Sequence, residues 1–231
     1  MGRFMADEPL FEHKREPTRL YLISPLDVSG AFPDRLSRAL DAVGGNRYRP
    51  AAFQFRVKGI DEHEAARLAE PLQKLCDARN VAFIVNDSVS LAKRLGADGV
   101  HLGQADMARE GTLAEARERL GRDAQIGVTC HNSRHFALEA GEAGADYVAF
   151  GAFFPTTTKT VEHIAETDLL TWWQTIFEIP CVAIGGITPA NAADLVYAGA
   201  DFIAASASVW QGDEVANVAA LVAAIKDGFE R

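Results

Sequence analysis

The sequence is poor in cysteine, in net positive charge and in long apolar runs, and each shortage removes a class of protein. Its three cysteines, Cys76, Cys130 and Cys181, form an odd, widely spaced set with no Cys-x-x-Cys pair. Neither a disulfide framework nor a thiolate zinc site is signalled, and a reducing, cytoplasmic setting is expected. Acidic residues outnumber basic ones, 32 against 23, for a formal net charge of −9. Broad attraction to nucleic acid or to an anionic membrane is therefore not expected, although a local basic pocket is compatible with that balance. No stretch approaches the roughly 18 uncharged apolar residues of a membrane-crossing helix. Residues 1–17 mix charges with single apolar residues and lack an apolar signal core, which reads as a flexible N-terminal arm ahead of one folded domain, 18–231.

The chain does carry enough apolar side chain for a sizeable core, with 48% hydrophobic and 24% charged residues. Three segments repeat one another: GADGVHLG from Gly96 to Gly103, GADYVAFG from Gly144 to Gly151 and GADFIAAS from Gly199 to Ser206. Their starts lie 48 and 55 residues apart, too far for one strand and one helix but suited to two such units. In each, an Ala-rich helical stretch precedes the glycine, which stops the helix, and the apolar run beyond it reads as a buried strand. Filling the gaps predicts strands near 19–26, 51–58, 81–87, 99–103, 125–130, 146–154, 180–186 and 202–206, with helices between them, for example over 62–79, 112–120, 133–143, 189–198 and 215–228. Eight strand-helix units in 231 residues match a single (β/α)8 TIM barrel, which typically takes about 250. An open doubly wound sheet is the alternative, but no Gly-x-Gly-x-x-Gly turn follows the first strand.

In such a barrel chemistry sits at the C-terminal strand ends, and polar residues fall there repeatedly. In the second strand Phe53, Phe55 and Val57 alternate with Gln54, Arg56 and Lys58. Period two turns the apolar set to the helices and the polar set to the barrel mouth. The third strand ends in Asn86-Asp87, and the fourth is followed by Gln104 and Asp106. Carboxylates on adjacent strand mouths suit one Mg²⁺, a hard ion that takes oxygen ligands, although Asn-Asp before a helix is also a common cap. His101 reads as a hydrogen-bonded interior histidine. The fifth strand delivers Thr129, Cys130 and His131; the hydroxyl suits a substrate, or a cap, and the thiol has no evident activating partner. After the sixth strand, Pro155-Thr156-Thr157-Thr158-Lys159 offers hydroxyls and a cation to a phosphate. Gly185 and Gly186 allow an anion to approach the backbone, Thr188-Pro189 reads as a helix N-cap and first turn, and Ala205 to Ser208 end the eighth strand.

Taken in order, Gln54-x-Arg56-x-Lys58, Asn86-Asp87, His101-Leu-Gly-Gln104-x-Asp106, Pro155-Thr156-x-Thr158-Lys159 and Ile184-Gly185-Gly186-Ile187 closely resemble the thiamine-phosphate synthase family over roughly residues 19 to 210. That resemblance implies condensation of 4-amino-5-hydroxymethyl-2-methylpyrimidine diphosphate with 4-methyl-5-(2-hydroxyethyl)thiazole phosphate, giving thiamine phosphate and pyrophosphate. It implies that Gln54 and Thr129 meet the pyrimidine, that Arg56, Lys58, Asn86 and Lys159 hold the diphosphate, and that Asp87 and Asp106 bind Mg²⁺. Thr156, Thr158, Gly186 and the Ser206-Ala207 backbone are expected at the thiazole phosphate, with Lys159, Arg56 and Thr129 as the catalytic set. Three positions depart from the family pattern: Val57 replaces a glutamate, Thr129 a serine, and Ala207 falls where a serine is usual. Partners are expected to be small phosphorylated molecules, with a homodimer as the assembly to test. The competing readings are a thiazole tautomerase-like isomerase and a non-catalytic phosphate-binding paralogue.

Overall fold

The structure, a computed structural model, describes residues 16–103, 110–156 and 163–231. Most of the expected N-terminal arm, with Gln104, Asp106, Thr158 and Lys159, lies outside the described residues. Eight parallel strands close into a barrel in sequence order: β1 (Arg19–Ile23), β2 (Pro50–Phe55), β3 (Ala82–Asn86), β4 (Gly99–Leu102), β5 (Gln125–His131), β6 (Tyr147–Phe150), β7 (Cys181–Ile184) and β8 (Phe202–Ala205). The described helices are α1 (Phe32–Asp41), α2 (Glu62–Asp77), α3 (Val89–Leu95), α4 (Leu113–Leu120), α5 (Arg134–Glu142), α6 (Asp168–Ile176), α7 (Ala192–Tyr197), α8 (Ala207–Trp210) and α9 (Glu214–Glu230). The closed ring excludes the open-sheet alternative. Among the described residues no helix is long and apolar enough to cross a membrane.

The repeated Gly-Ala-Asp has a mechanical job. Asp98, Asp146 and Asp201 each accept a backbone N–H from the neighbouring strand, from Phe83 at 2.7 Å, Ile126 at 2.6 Å and Cys181 at 2.8 Å. Each carboxylate thus satisfies an amide at the bottom of the barrel that strand pairing leaves open. Because the motif precedes β4, β6 and β8, it recurs every two strand-helix units, as its spacing requires.

Two layers of core follow from strand alternation. The outward faces, including Phe53, Phe55, Phe83, Val85, Val148 and Phe150, pack with the helices in one large core; the inward faces, including Tyr21, Ile23, Ala52, Ile84, Tyr147, Ala149 and Val182, fill the barrel. Val57 packs against the outer core, as period two requires. All three cysteines are free and buried.

Sequence and structure part company at strand ends. The strand expected over 146–154 stops at Phe150, because the chain turns at Gly151 and crosses to β7, where the Phe153 and Phe154 amides donate to the Ile184 and Gly185 carbonyls. Thr188 is not the N-cap of α7, which starts four residues later at Ala192. Asn191 Oδ1 takes the Thr188 N–H at 2.8 Å while the Thr188 carbonyl accepts from Asn191 and Ala192, so a closed turn uses the residues that would have begun a helix.

Candidate active site

Four successive strand ends build one side of the mouth. Ser24, just past β1, donates its hydroxyl to the Arg56 carbonyl at 3.1 Å and accepts the Arg56 N–H at 2.8 Å, while its own N–H reaches the Gln54 carbonyl. This reciprocal clamp fixes the backbone of Arg56 just beyond the strand. The guanidinium Nη1 of Arg56 is buried without a hydrogen-bond partner among the described residues, a cost of roughly 1–3 kcal/mol or more for a charged donor unless an acceptor is supplied. Lys58 Nζ lies 3.5 Å from Asp87 Oδ2.

Asp87 is held in place by its backbone. It adopts φ 67, an uncommon conformation that Asp tolerates better than most residues, and its N–H donates to the His101 carbonyl at 2.9 Å. That bond ties the end of β3 to β4. Capping does not explain Asn86-Asp87, because the cap of α3 is Ser88, whose hydroxyl accepts the Leu91 N–H at 3.1 Å. Asp87 offers one half-buried carboxylate, the kind of oxygen donor that a hard divalent cation takes, and among the described residues no cluster of three such groups surrounds it.

The opposite side is built by β6, β7 and β8. The crossing of residues 151–154 onto β7 lays the Phe154 and Pro155 carbonyls over Gly186, where an added Cβ would collide with both oxygens; Gly186 also has φ 65. Only glycine fits, and Thr156 follows at once. Asn191 Nδ2 donates to the Gly186 carbonyl at 3.2 Å, which leaves the turn rigid. Ser206 donates its hydroxyl to the Ser24 carbonyl at 3.4 Å, and Ala207 opens α8. Next to it, the Ser208 hydroxyl is buried without a partner among the described residues, so the hydroxyl missing at position 207 is present one residue on.

The floor between the two sides is polar. Gln54 Nε2 donates to Tyr21 Oη at 3.1 Å, Tyr21 and Tyr147 hydroxyls lie 3.0 Å apart, His101 Nδ1 is 3.0 Å from Tyr147 Oη, and His101 Nε2 is 2.8 Å from Thr129 Oγ1. Burial pushes the Tyr21 phenol up to about 12, against the hydrogen bonds from Tyr147 and Gln54. Burial, then the neighbouring Tyr21, raises Tyr147 well above the usual range. Both phenols stay protonated. A bulge in β5 after Thr129 lets Thr129 point inward while Cys130, fully buried, joins the outer core; burial raises that thiol to about 12, so it is no nucleophile at neutral pH. His131 does not cap α5, since Ser133 accepts the Phe136 N–H; its ring packs edge-on to His163, with centroids 5.5 Å apart.

The structure therefore gathers Gln54, Arg56, Lys58, Asn86, Asp87 and Thr129 on or beside β2, β3 and β5, and Thr156, Gly186, Ser206 and Ala207 beside β6, β7 and β8. Tyr21, Ser24 and Tyr147 are site-forming residues that sequence reasoning passed over. Alternation alone marks both tyrosines as inward, Tyr21 with Ile23 and Tyr147 with Ala149; nothing local marks Ser24, whose partner lies 32 residues away.

Comparison with known proteins agrees with this geometry. The sequence model of the family described as thiamine monophosphate synthase matches residues 20–209. A thiamine-phosphate synthase of Erythrobacter litoralis is 66% identical over 206 residues, covering 88% of this chain and 93% of that relative. A thiamine-phosphate synthase of Rhodospirillum centenum is 52% identical over 193 residues, covering 83% of this chain and 89% of its own. Among solved structures, thiamine phosphate pyrophosphorylase from Pyrococcus furiosus superposes with a TM-score of 0.78 at 28% identity, covering 93% of this chain and 98% of that one. A barrel with a cationic and carboxylate side facing a glycine-threonine side, matched along nearly its whole length, places this chain in the thiamine monophosphate synthase family.

Proposed function

We propose that this chain joins 4-amino-5-hydroxymethyl-2-methylpyrimidine diphosphate to 4-methyl-5-(2-hydroxyethyl)thiazole phosphate at the barrel mouth, releasing pyrophosphate, with Asp87 and Asp106 as the Mg²⁺ ligands. The observation that carries the assignment of sides is Arg56, whose buried Nη1 lacks an acceptor among the described residues and which lies two residues from Lys58. A guanidinium so placed calls for an anion, and the diphosphate is the larger of the two. Across the ring, beyond β6 and β7, Thr156 and Gly186 offer neutral donors, which suit the thiazole phosphate.

In this reading the bond between the pyrimidine methylene and the diphosphate oxygen breaks, and the thiazole nitrogen supplies the electron pair for the new carbon–nitrogen bond. Arg56, Lys58, Asn86 and Lys159 hold the diphosphate as it gains charge, and Thr129 and Gln54 hold the pyrimidine. Mg²⁺, when bound, would supply further neutralisation of the leaving group. No protein nucleophile is needed, in keeping with the buried state of Cys130. An isomerase of the thiazole phosphate needs only the glycine-threonine side; the cations just after β2 and the carboxylate after β3 favour the synthase.

Calorimetry with each substrate separately, followed by product detection, tests the reading. The pyrimidine diphosphate should bind in a Mg²⁺-dependent way without thiazole phosphate, and the pair should yield thiamine phosphate and pyrophosphate in equal amounts. Arg56→Ala should weaken the first binding and spare the second. Thiazole phosphate binding with no Mg²⁺-dependent affinity for the pyrimidine diphosphate, and no product, would refute it.

A further inference from the structure

The polar floor is a single file of hydrogen bonds from β2 to β5: Gln54, Tyr21, Tyr147, His101, Thr129. The side chains of Tyr21, Tyr147 and His101 hydrogen-bond to one another in order, and Tyr21 and His101 join them to the two ends, Gln54 and Thr129. Gln54, Tyr21, Tyr147 and His101 are all buried, with exposures between 4% and 8%, so no bulk water compensates a misdirected proton. Room for the file was made in the backbone: a side chain at Gly127 would run into the Tyr147 ring.

A chain of this kind has a direction, which the orientation of the Gln54 amide sets. Gln54 Nε2 donates to Tyr21. If Tyr21 then donates to Tyr147, Tyr147 to His101 Nδ1, and His101 Nε2–H to Thr129, every link of the file has one donor and one acceptor, and the second Gln54 Nε2–H lies outside it. The Thr129 proton is left over and points to the ligand. If instead Thr129 donated toward His101 and the order ran backward, Tyr21 would accept from both Gln54 and Tyr147 and its own proton would have no acceptor. Reversal becomes balanced only when the Gln54 amide is turned over. Neither the Gln54 carboxamide oxygen nor the Thr129 hydroxyl has a further partner among the described residues. The forward chain thus presents one acceptor, Gln54 Oε1, and one donor, the Thr129 hydroxyl; the reversed chain presents the opposite pair.

We propose that Tyr21, Tyr147 and His101 are positioning residues that set this donor and acceptor pattern, and so select a heterocycle offering an amino donor and a ring-nitrogen acceptor over one with the pattern reversed. The inference rests on the assignment of Gln54 and Thr129 to the pyrimidine. An aminopyrimidine matches the forward chain. The 4-oxo analogue, with a carbonyl acceptor beside a ring N–H, mismatches it, and a site built around buried polar groups discriminates strongly against such a mismatch.

The test measures affinity by calorimetry, with Mg²⁺ present, for three probes: the 4-amino pyrimidine diphosphate, its 4-oxo analogue and inorganic pyrophosphate. The wild type should prefer the amino over the oxo compound by at least about tenfold. Tyr147→Phe, which removes one hydroxyl and keeps the ring, should bring the two within about threefold of each other and leave pyrophosphate binding unchanged. Adding Thr129→Ala to that variant should cost less than Thr129→Ala costs the wild type, because both cuts lie on one chain. Tyr21→Phe cuts the chain one link away and serves should Tyr147→Phe fail to fold. A folded Tyr147→Phe or Tyr21→Phe protein that keeps the full preference for the amino compound overturns the proposal, as does a wild type that prefers the oxo analogue. Should the wild type bind pyrophosphate but neither pyrimidine, the assignment of the pyrimidine to this site fails in the wild type itself, whereas failure of the positioning role appears only in the variants.

Discussion

Replacing Lys58 with methionine should raise the affinity of the chain for Mg²⁺ alone while lowering its affinity for the diphosphate, an opposition that few other substitutions would produce. In the structure Lys58 Nζ and Asp87 Oδ2 are 3.5 Å apart, with side-chain exposures of 56% and 24%. At an effective dielectric of 20 the direct attraction at that distance is about 5 kcal/mol, but pairs this exposed return only about 0.2–1 kcal/mol once solvation, side-chain entropy and salt are included. A metal ion approaching Asp87 must displace that partner and also tolerates a nearby ammonium poorly. Removing both penalties should tighten Mg²⁺ binding by roughly two- to fivefold. The diphosphate, which loses a cation, should bind at least about tenfold more weakly. Titration calorimetry, or the solution signal of Mn²⁺ used as a stand-in, reads the first effect; calorimetry with pyrophosphate at saturating Mg²⁺ reads the second. Mg²⁺ affinity that is unchanged or weakened in Lys58→Met would show that Asp87 is not a metal ligand, or that its pairing with Lys58 does not compete.

Lys159→Ala should lower kcat more than it weakens thiazole phosphate binding, because a cation beside the leaving group matters most as charge develops there; single-turnover kinetics with separate binding titrations would show it, and a change confined to thiazole phosphate affinity would move Lys159 to the other anion site. Gly186→Ala should destabilise the fold by about 1–3 kcal/mol and abolish thiazole phosphate binding, since the new methyl meets the Phe154 and Pro155 carbonyls at φ 65; an unchanged melting temperature would contradict that contact. Glu214 is 4% exposed, and although burial raises its pKa, hydrogen bonds from Arg35 and Arg38 outweigh this and leave it below the ordinary 4.5. Its folded value being depressed, it adds stability above the unfolded pKa that is lost as pH falls through the folded one; thermal unfolding from pH 6 to pH 3 should show a steeper loss below about 4.5 in the wild type than in Glu214→Gln.

Periodicity and punctuation in the sequence determined the architecture. Three Gly-Ala-Asp motifs at two-unit spacing, apolar runs of strand length and helical stretches between them leave the eightfold barrel as the arrangement that buries every strand, because parallel strands need a helix on each crossover and a ring removes the edges. The same alternation placed Gln54 inside and Phe53 and Phe55 outside, as found. Other features needed partners far along the chain. Ser24 matters because it meets Arg56, and the Gln54 to Thr129 file exists only because β1, β2, β4, β5 and β6 each deliver one group to a common interior. Thr188 has the pattern of a cap but is part of a turn, in which its N–H donates to Asn191 Oδ1 and its carbonyl accepts from Asn191 and Ala192. Local pattern can say which way a side chain faces, since that depends on two or three neighbours in sequence. Which donor it finds there depends on strand register and on loops crossing between strands, and closing the barrel is what sets both.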